Sequence, residues 1–228
     1  MTPIGICSKN EKCLPVLLKS IELYVPDDVE VYIISPNKQS LPKHKVHHFV
    51  HTYETGGAAH NFMAHKIFET HEEFVSIDDD VVLNPSTYSI LMDDVNYIKS
   101  LGYKIGVVAG RTNYAKGNQN IRTGSGSLSS LAYESENFIV ETDYLAGIFA
   151  WCQKSTWIDL APIDWFSDDV QCEDHLKNES RLFVSRAYFH HVGSQTFGYD
   201  FKKCKQDSEA WLRENRPEMH TRYFGAKK

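Results

Sequence analysis

The stretch Glu72-Glu-Phe-Val-Ser-Ile-Asp-Asp-Asp-Val-Val-Leu83 decides the reading of this chain. An apolar strand over 72–78 runs straight into three consecutive aspartates, Asp78, Asp79 and Asp80. Three carboxylates within about 7 Å of extended backbone repel one another. Such a cluster is costly unless a cation neutralises it, and hard oxygen ligands select Mg²⁺, Mn²⁺ or Ca²⁺. Along extended backbone Asp78 and Asp80 point to one side and Asp79 to the other, so the useful pair is Asp-x-Asp. A helix cap or a merely solvated acidic turn is the bland alternative.

Outward from that stretch, apolar strands alternate with helical periodicity. Residues 3–7, 29–35, 45–51 and 104–110 read as strands; 14–21, 56–69 and 86–100 carry helical spacing. This alternation predicts an α/β fold, a mostly parallel central sheet with helices on both faces. In such sheets ligands gather at the carboxyl ends of the strands, where Asp78–Asp80 fall. Residues 111–130, rich in Gly, Ser and Asn, have no period and read as a long functional loop.

The 228 residues fit a single domain, and 42% hydrophobic with 12% aromatic content is ample for a core. No signal peptide is visible, and the longest apolar run, 144–152, is far short of a membrane span. Five cysteines with no CxxC pair favour free thiols and a cytoplasmic protein. Net charge is −6, unevenly placed: residues 99–133 hold five Lys/Arg and no acid, and 202–228 hold eight Lys/Arg against four Asp/Glu. These are either solvated faces or basic surfaces that meet an anionic partner.

Residues 56–83, Gly-Gly-Ala-Ala-His-Asn-Phe-Met through Asp-Asp-Asp-Val-Val-Leu, resemble the donor-site core of GT-A nucleotide-sugar glycosyltransferases (family 2-like, with a DxD motif). The resemblance implies a Rossmann-like domain with a donor half of about 1–110, an acceptor half of about 111–200 and a basic tail at 202–228. It implies that Asp78 contacts the donor ribose and that Asp80, with Asp78 beside it, binds Mn²⁺ or Mg²⁺ bridging the diphosphate. Asn61, with His60 replacing the family's Arg, would line the same pocket together with Asp79. Ser35 and Asn37 stand where the family reads the nucleotide base, and a UDP-sugar is the expected donor. Residues 144–157 resemble the strand beneath the acceptor site. Residues 168–183 resemble the segment in which a carboxylate at a helix start faces the acceptor, which points to Glu173 and Asp174. His191, followed by Val192 and Gly193, resembles the late metal ligand.

The implied activity is metal-dependent hexosyl or pentosyl transfer to an acceptor hydroxyl. Asp174 is the base if the anomeric centre inverts; that role lapses if configuration is retained. The acceptor is a glycan by default. Arg111, Lys116 and Arg122, with Lys202, Lys203 and Lys205, suggest instead a nucleic acid, such as a hydroxylated DNA base of the bacteriophage type. Trp151, Trp157 and Trp165 read as core rather than a sugar platform. Rival readings are a haloacid-dehalogenase-like phosphatase, whose Asp-x-Asp ends its first strand, and a nucleotidyltransferase, which wants glycines after strand one. A non-catalytic carbohydrate- or metal-binding module is the third.

Overall fold

The structure, a computed structural model, describes residues 1–113, 115, 117–120, 138–193 and 201–225. In chain order the elements are β1 (Ile4–Cys7), α1 (Leu14–Tyr24), β2 (Val31–Ser35), β3 (Val46–Val50), α2 (Gly56–Ile67), β4 (Glu73–Asp78) and β5 (Val81–Leu83). There follow α3 (Thr87–Ser100), β6 (Ile105–Thr112), β7 (Val140–Thr142), β8 (Phe149–Gln153), α4 (Ser167–Lys177), β9 (Arg181–His191), α5 (Phe201–Asn215) and α6 (Pro217–Phe224). Seven of these, β1, β2, β3, α2, β4, α3 and β6, fall within two residues of the sequence expectation, because each carries one uninterrupted period; α1 runs three residues past it and β5 was not expected.

The strands form one sheet in the order β3-β2-β1-β4-β8-β6-β9-β5, with β7 pairing with β9. β1 to β4 run parallel, β6 and β9 share their direction, and β5, β7 and β8 run against their neighbours. The sheet is therefore mostly parallel in direction, with β8 inserted antiparallel between β4 and β6.

Alternation along the strands sorts the side chains onto two faces. Val75, Ile77, Phe149, Trp151 and Val108 pack with residues of α1 and α3. Phe74, Val107, Ala150 and Cys152 pack with Met63, Ala64 and Ile67 of α2 and Cys172 of α4. The first face is filled by large side chains. The second carries mostly small ones around Ser76, and that difference leaves room for a cavity.

Gly57 explains part of the paired glycines. A Cβ there would lie 2.0 Å from the Ala161 carbonyl oxygen, so only glycine lets α2 meet the 161–163 segment. Residues 202–225 do not form a free basic tail. α5 and α6 pack through Leu212 and Met219 on Ala161, Ile163 and Val170. Arg216 and Arg222 pair with Asp174 and Glu173. The Lys202, Lys203, Lys205 cluster stays exposed, and Arg213, also exposed, pairs with Glu209 within α5. No helix among the described residues is long and apolar enough to cross a membrane.

Candidate active site

β4 ends at Asp78, directly beside Cys7 at the end of β1. Asp79 and Asp80 form the turn into β5. β5 then pairs antiparallel with the end of β9, matching Val81 with His191, and Val192 donates to the Asp80 carbonyl at 2.9 Å. This pairing, between residues 110 positions apart (191 − 81), brings His191 Nε2 to 3.3 Å from Asp80 Oδ2. Asn113 holds His191 in place by a reciprocal pair: its Nδ2 donates to the His191 carbonyl (3.1 Å) and its Oδ1 accepts from His191 N (2.8 Å).

On the same face His60 Nε2 lies 3.3 Å from Asp78 Oδ1, and its Nδ1 is hydrogen-bonded to Ser76 Oγ at 3.1 Å. Asp79, in the turn, does not line this face: its buried carboxylate accepts from Ser8 Oγ. Burial, reinforced by the charges of Asp78 and Asp79, pushes the Cys7 thiol well above its ordinary value. Cys7 is thus a neutral thiol beside the carboxylates, not a thiolate ligand.

Asp78, Asp80, His60 and His191 all line a cavity of about 450 Å³ between the sheet and α2 and α4. Ser76, Val107, Ala150 and Cys152 form its floor; Trp157, Leu160, Trp165 and Phe166 form its far wall. The Cys152 thiol, pushed up to about 12 by burial, stays neutral there. A smaller cavity of about 140 Å³ opens over the carboxyl ends of β1 and β2 and the start of α2, lined by Ser8, Lys9, Ile34, His51 and Tyr53. Asp164 lines both, and its Oδ1 accepts from Gly56 N at 2.6 Å, capping α2.

Among the described residues no group of three or more His, Cys, Asp or Glu is arranged to hold an ion. Asp80 and His191 together offer one oxygen and one nitrogen. That donor set fits an Mg²⁺ or Mn²⁺ ion held by few protein ligands and completed by substrate phosphates, and not an all-protein cage.

Several expected residues lie elsewhere. Glu173 and Asp174 sit in the second half of α4, neither lines the cavity, and their carboxylates are paired with Arg222 and Arg216. The helix begins at Ser167, so the carboxylates in its first turn are Asp168 and Asp169, five residues earlier than Glu173 and Asp174. Asp168 lines the cavity; Asp169 is buried and accepts from the Tyr223 hydroxyl at 3.1 Å. Asn61 does not face the cavity either: it exchanges two 2.8 Å hydrogen bonds with the backbone of Leu160.

Ser35 is fully buried against His48, and Asn37 is bound by the Glu11 carboxylate. Arg111 is buried, donating to the carbonyls of Asn118 and Phe138, so it offers no surface to an acceptor. Lys116 and Arg122 lie outside the described residues. Of the three tryptophans read as core, only Trp151 is fully buried; Trp157 and Trp165 line the cavity.

Phe166 was not visible as a site residue. It precedes α4 with φ of +72°, a left-handed conformation that is strained for an aromatic residue. Tyr223 and Phe224 of α6 hold its ring at centroid distances of 4.8 and 5.5 Å. The strain sits beside Asp168, where the cavity meets the helix start.

No protein-family model and no curated protein matches the sequence. Solved structures do. The chain is similar to S. aureus TarS 1–349, at 15% identity and TM-score 0.55, over 93% of this chain and 65% of that one. The same TarS fragment in complex with UDP-GlcNAc matches at 14% identity and TM-score 0.56. A longer TarS chain matches at TM-score 0.55, with 40% of its length covered. The chain therefore spans less than two thirds of these relatives. The likeness shows a GT-A-like fold.

Proposed function

We propose that the protein transfers a sugar from a nucleotide-sugar donor, a UDP-sugar by preference, to an acceptor hydroxyl, with a divalent cation as cofactor. The observation that carries this reading is the Asp80–His191 pair, 3.3 Å apart at the head of a large cavity on the end of a central strand. The support from outside the chain is the shared fold with TarS, which has been seen with UDP-GlcNAc and with UDP.

In this reading the smaller cavity over β1 and β2 takes the nucleoside, with Lys9 at its rim. The diphosphate then crosses the end of β4 to Asp80 and His191. Asp80 and His191 would hold a divalent ion there, which when bound would supply stabilisation of charge on the departing diphosphate. Asp78 and His60 flank the donor sugar, and Ser76 fixes the His60 ring. If the anomeric centre inverts, Asp168, not Asp174, accepts the proton of the attacking hydroxyl. Asn113 acts through His191 as a positioning residue.

The test is UDP release from a panel of UDP-glucose, UDP-galactose and UDP-GlcNAc, with Mn²⁺ and with excess EDTA. Cation-dependent turnover of at least one donor is expected. Absence of UDP release and of UDP binding under all conditions overturns the reading.

A further inference from the structure

The walls of the large cavity carry a charge pattern that selects an acceptor class. The charged residues that line it are Asp78, Asp80, Asp164 and Asp168; among the described residues no Lys or Arg does. Asp78 and Asp80 belong to the donor end, and Asp164, which also lines the smaller cavity, is held at the start of α2. Asp168 stands at the start of α4, close in sequence to the lining residues Trp165 and Phe166. The Trp157 ring is fixed: its Nε1 donates to Asp159 Oδ1 at 2.7 Å, and Phe68 and Phe74 pack against it at 5.8 Å.

Among the described residues, three of the arginines that could meet a polyanion are engaged elsewhere. Arg111 is buried on backbone carbonyls, and Arg216 and Arg222 neutralise the α4 carboxylates. An anion entering the cavity would meet like charges at low local dielectric. A neutral sugar ring meets complementary chemistry: its C–H faces lie against indole and phenyl rings, and its hydroxyls donate to carboxylates.

Resting on the proposed transferase activity, we infer that the acceptor group bound in this cavity is an uncharged carbohydrate ring, seated on Trp165 and Trp157 with a hydroxyl toward Asp168. A nucleic-acid acceptor is the competing outcome of the test.

Saturation-transfer NMR on the full chain reads this directly. The probes are methyl β-glucoside, methyl β-galactoside, methyl β-N-acetylglucosaminide, methyl β-glucuronide and a 12-base-pair DNA duplex containing 5-hydroxymethylcytosine. At least one neutral glycoside should bind with an affinity that changes less than twofold between 50 and 300 mM NaCl. Trp165→Ala should weaken it tenfold or more, and Lys202→Glu/Lys203→Glu should leave it unchanged. Because Trp165→Ala can disturb packing, a gain is also required: the glucuronide, bound at least tenfold more weakly than glucoside by the wild type, should recover threefold or more in Asp168→Asn.

DNA binding that falls steeply with salt, without glycoside binding, would overturn the inference, as would no binding of any neutral probe. UDP binding measured on the same samples separates the two readings. UDP binding with no glycoside binding removes only the acceptor class. Trp165-dependent glycoside binding without UDP binding removes the transferase and leaves a carbohydrate-binding module.

Discussion

His175 should make this protein acid-sensitive in a defined window. It projects from α4 into the sheet and is 1% exposed. The fit is tight: a Cβ on Gly106 would lie 2.8 Å from its Nδ1. Among the described residues neither ring nitrogen has a hydrogen-bond partner. Burial, only partly offset by Asp174 and reinforced by Lys104, lowers the imidazole from 6.5 to about 4. Above pH 6.5 the ring is neutral in both folded and unfolded chains and contributes no pH dependence. Below it, the unfolded chain takes up a proton that the folded chain refuses until about pH 4.

Stability is therefore lost as pH falls from 6.5 toward 4. The gap corresponds to about 3 kcal/mol in all, at about 1.36 kcal/mol per pH unit. That is a large fraction of a typical stability of about 5–15 kcal/mol. Urea unfolding at pH 7.5, 6.0, 5.0 and 4.5 should show a steeper loss for the wild type than for His175→Leu. Parallel curves for the two proteins across that window would refute the reasoning.

Three further outcomes follow from the packing. Asp94 is fully buried on α3 and accepts from Ser185 Oγ, Arg186 N and the Arg186 guanidinium, so it clamps α3 to β9. Asp94→Ala removes the acceptor of Ser185 Oγ and Arg186 N while the half-exposed Arg186 guanidinium stays solvated, so it should cost about 1–3 kcal/mol and lower Tm by about 2–12 °C. Gly57→Ala forces α2 away from Ala161 and should destabilise by about 1–3 kcal/mol, with Gly56→Ala, where the nearest atom would be 3.6 Å away, milder in the same denaturant series. Asp168→Asn should leave UDP affinity within a factor of two while lowering turnover by about 10² or more if Asp168 is the base; Asp174→Asn should change turnover little.

The first half of the fold was legible because its signals are local. The strand from 73 to 78 and the helix from 56 to 67 each carry one clean period, and the turn after Asp78 brings Asp80 to the same cavity as Asp78. The second half depends on long-range pairing. β9 runs from Arg181 to His191, and no local pattern says that it will receive β5 and bring His191 to Asp80.

The helix-start carboxylate was misplaced for a related reason. Glu173-Asp174 and Asp168-Asp169 both precede plausible helical turns, and only Phe166 in its left-handed conformation fixes the start at Ser167. Net charge misled at Arg111, Arg216 and Arg222, because a sequence does not show which cations are neutralised internally. Asn113 left no signal: its role is set by reaching the His191 backbone 78 residues away.

The most direct test is calorimetric titration of UDP into the wild type and Asp80→Ala, each with 1 mM Mn²⁺ and with EDTA. If Asp80 and His191 hold the ion that meets the diphosphate, the wild type binds UDP with Mn²⁺ and at least tenfold more weakly with EDTA. Asp80→Ala should show the weak affinity in both buffers. Equal UDP affinity in all four titrations, or no affinity in any, would contradict a cation-bridged nucleotide site at the end of β4.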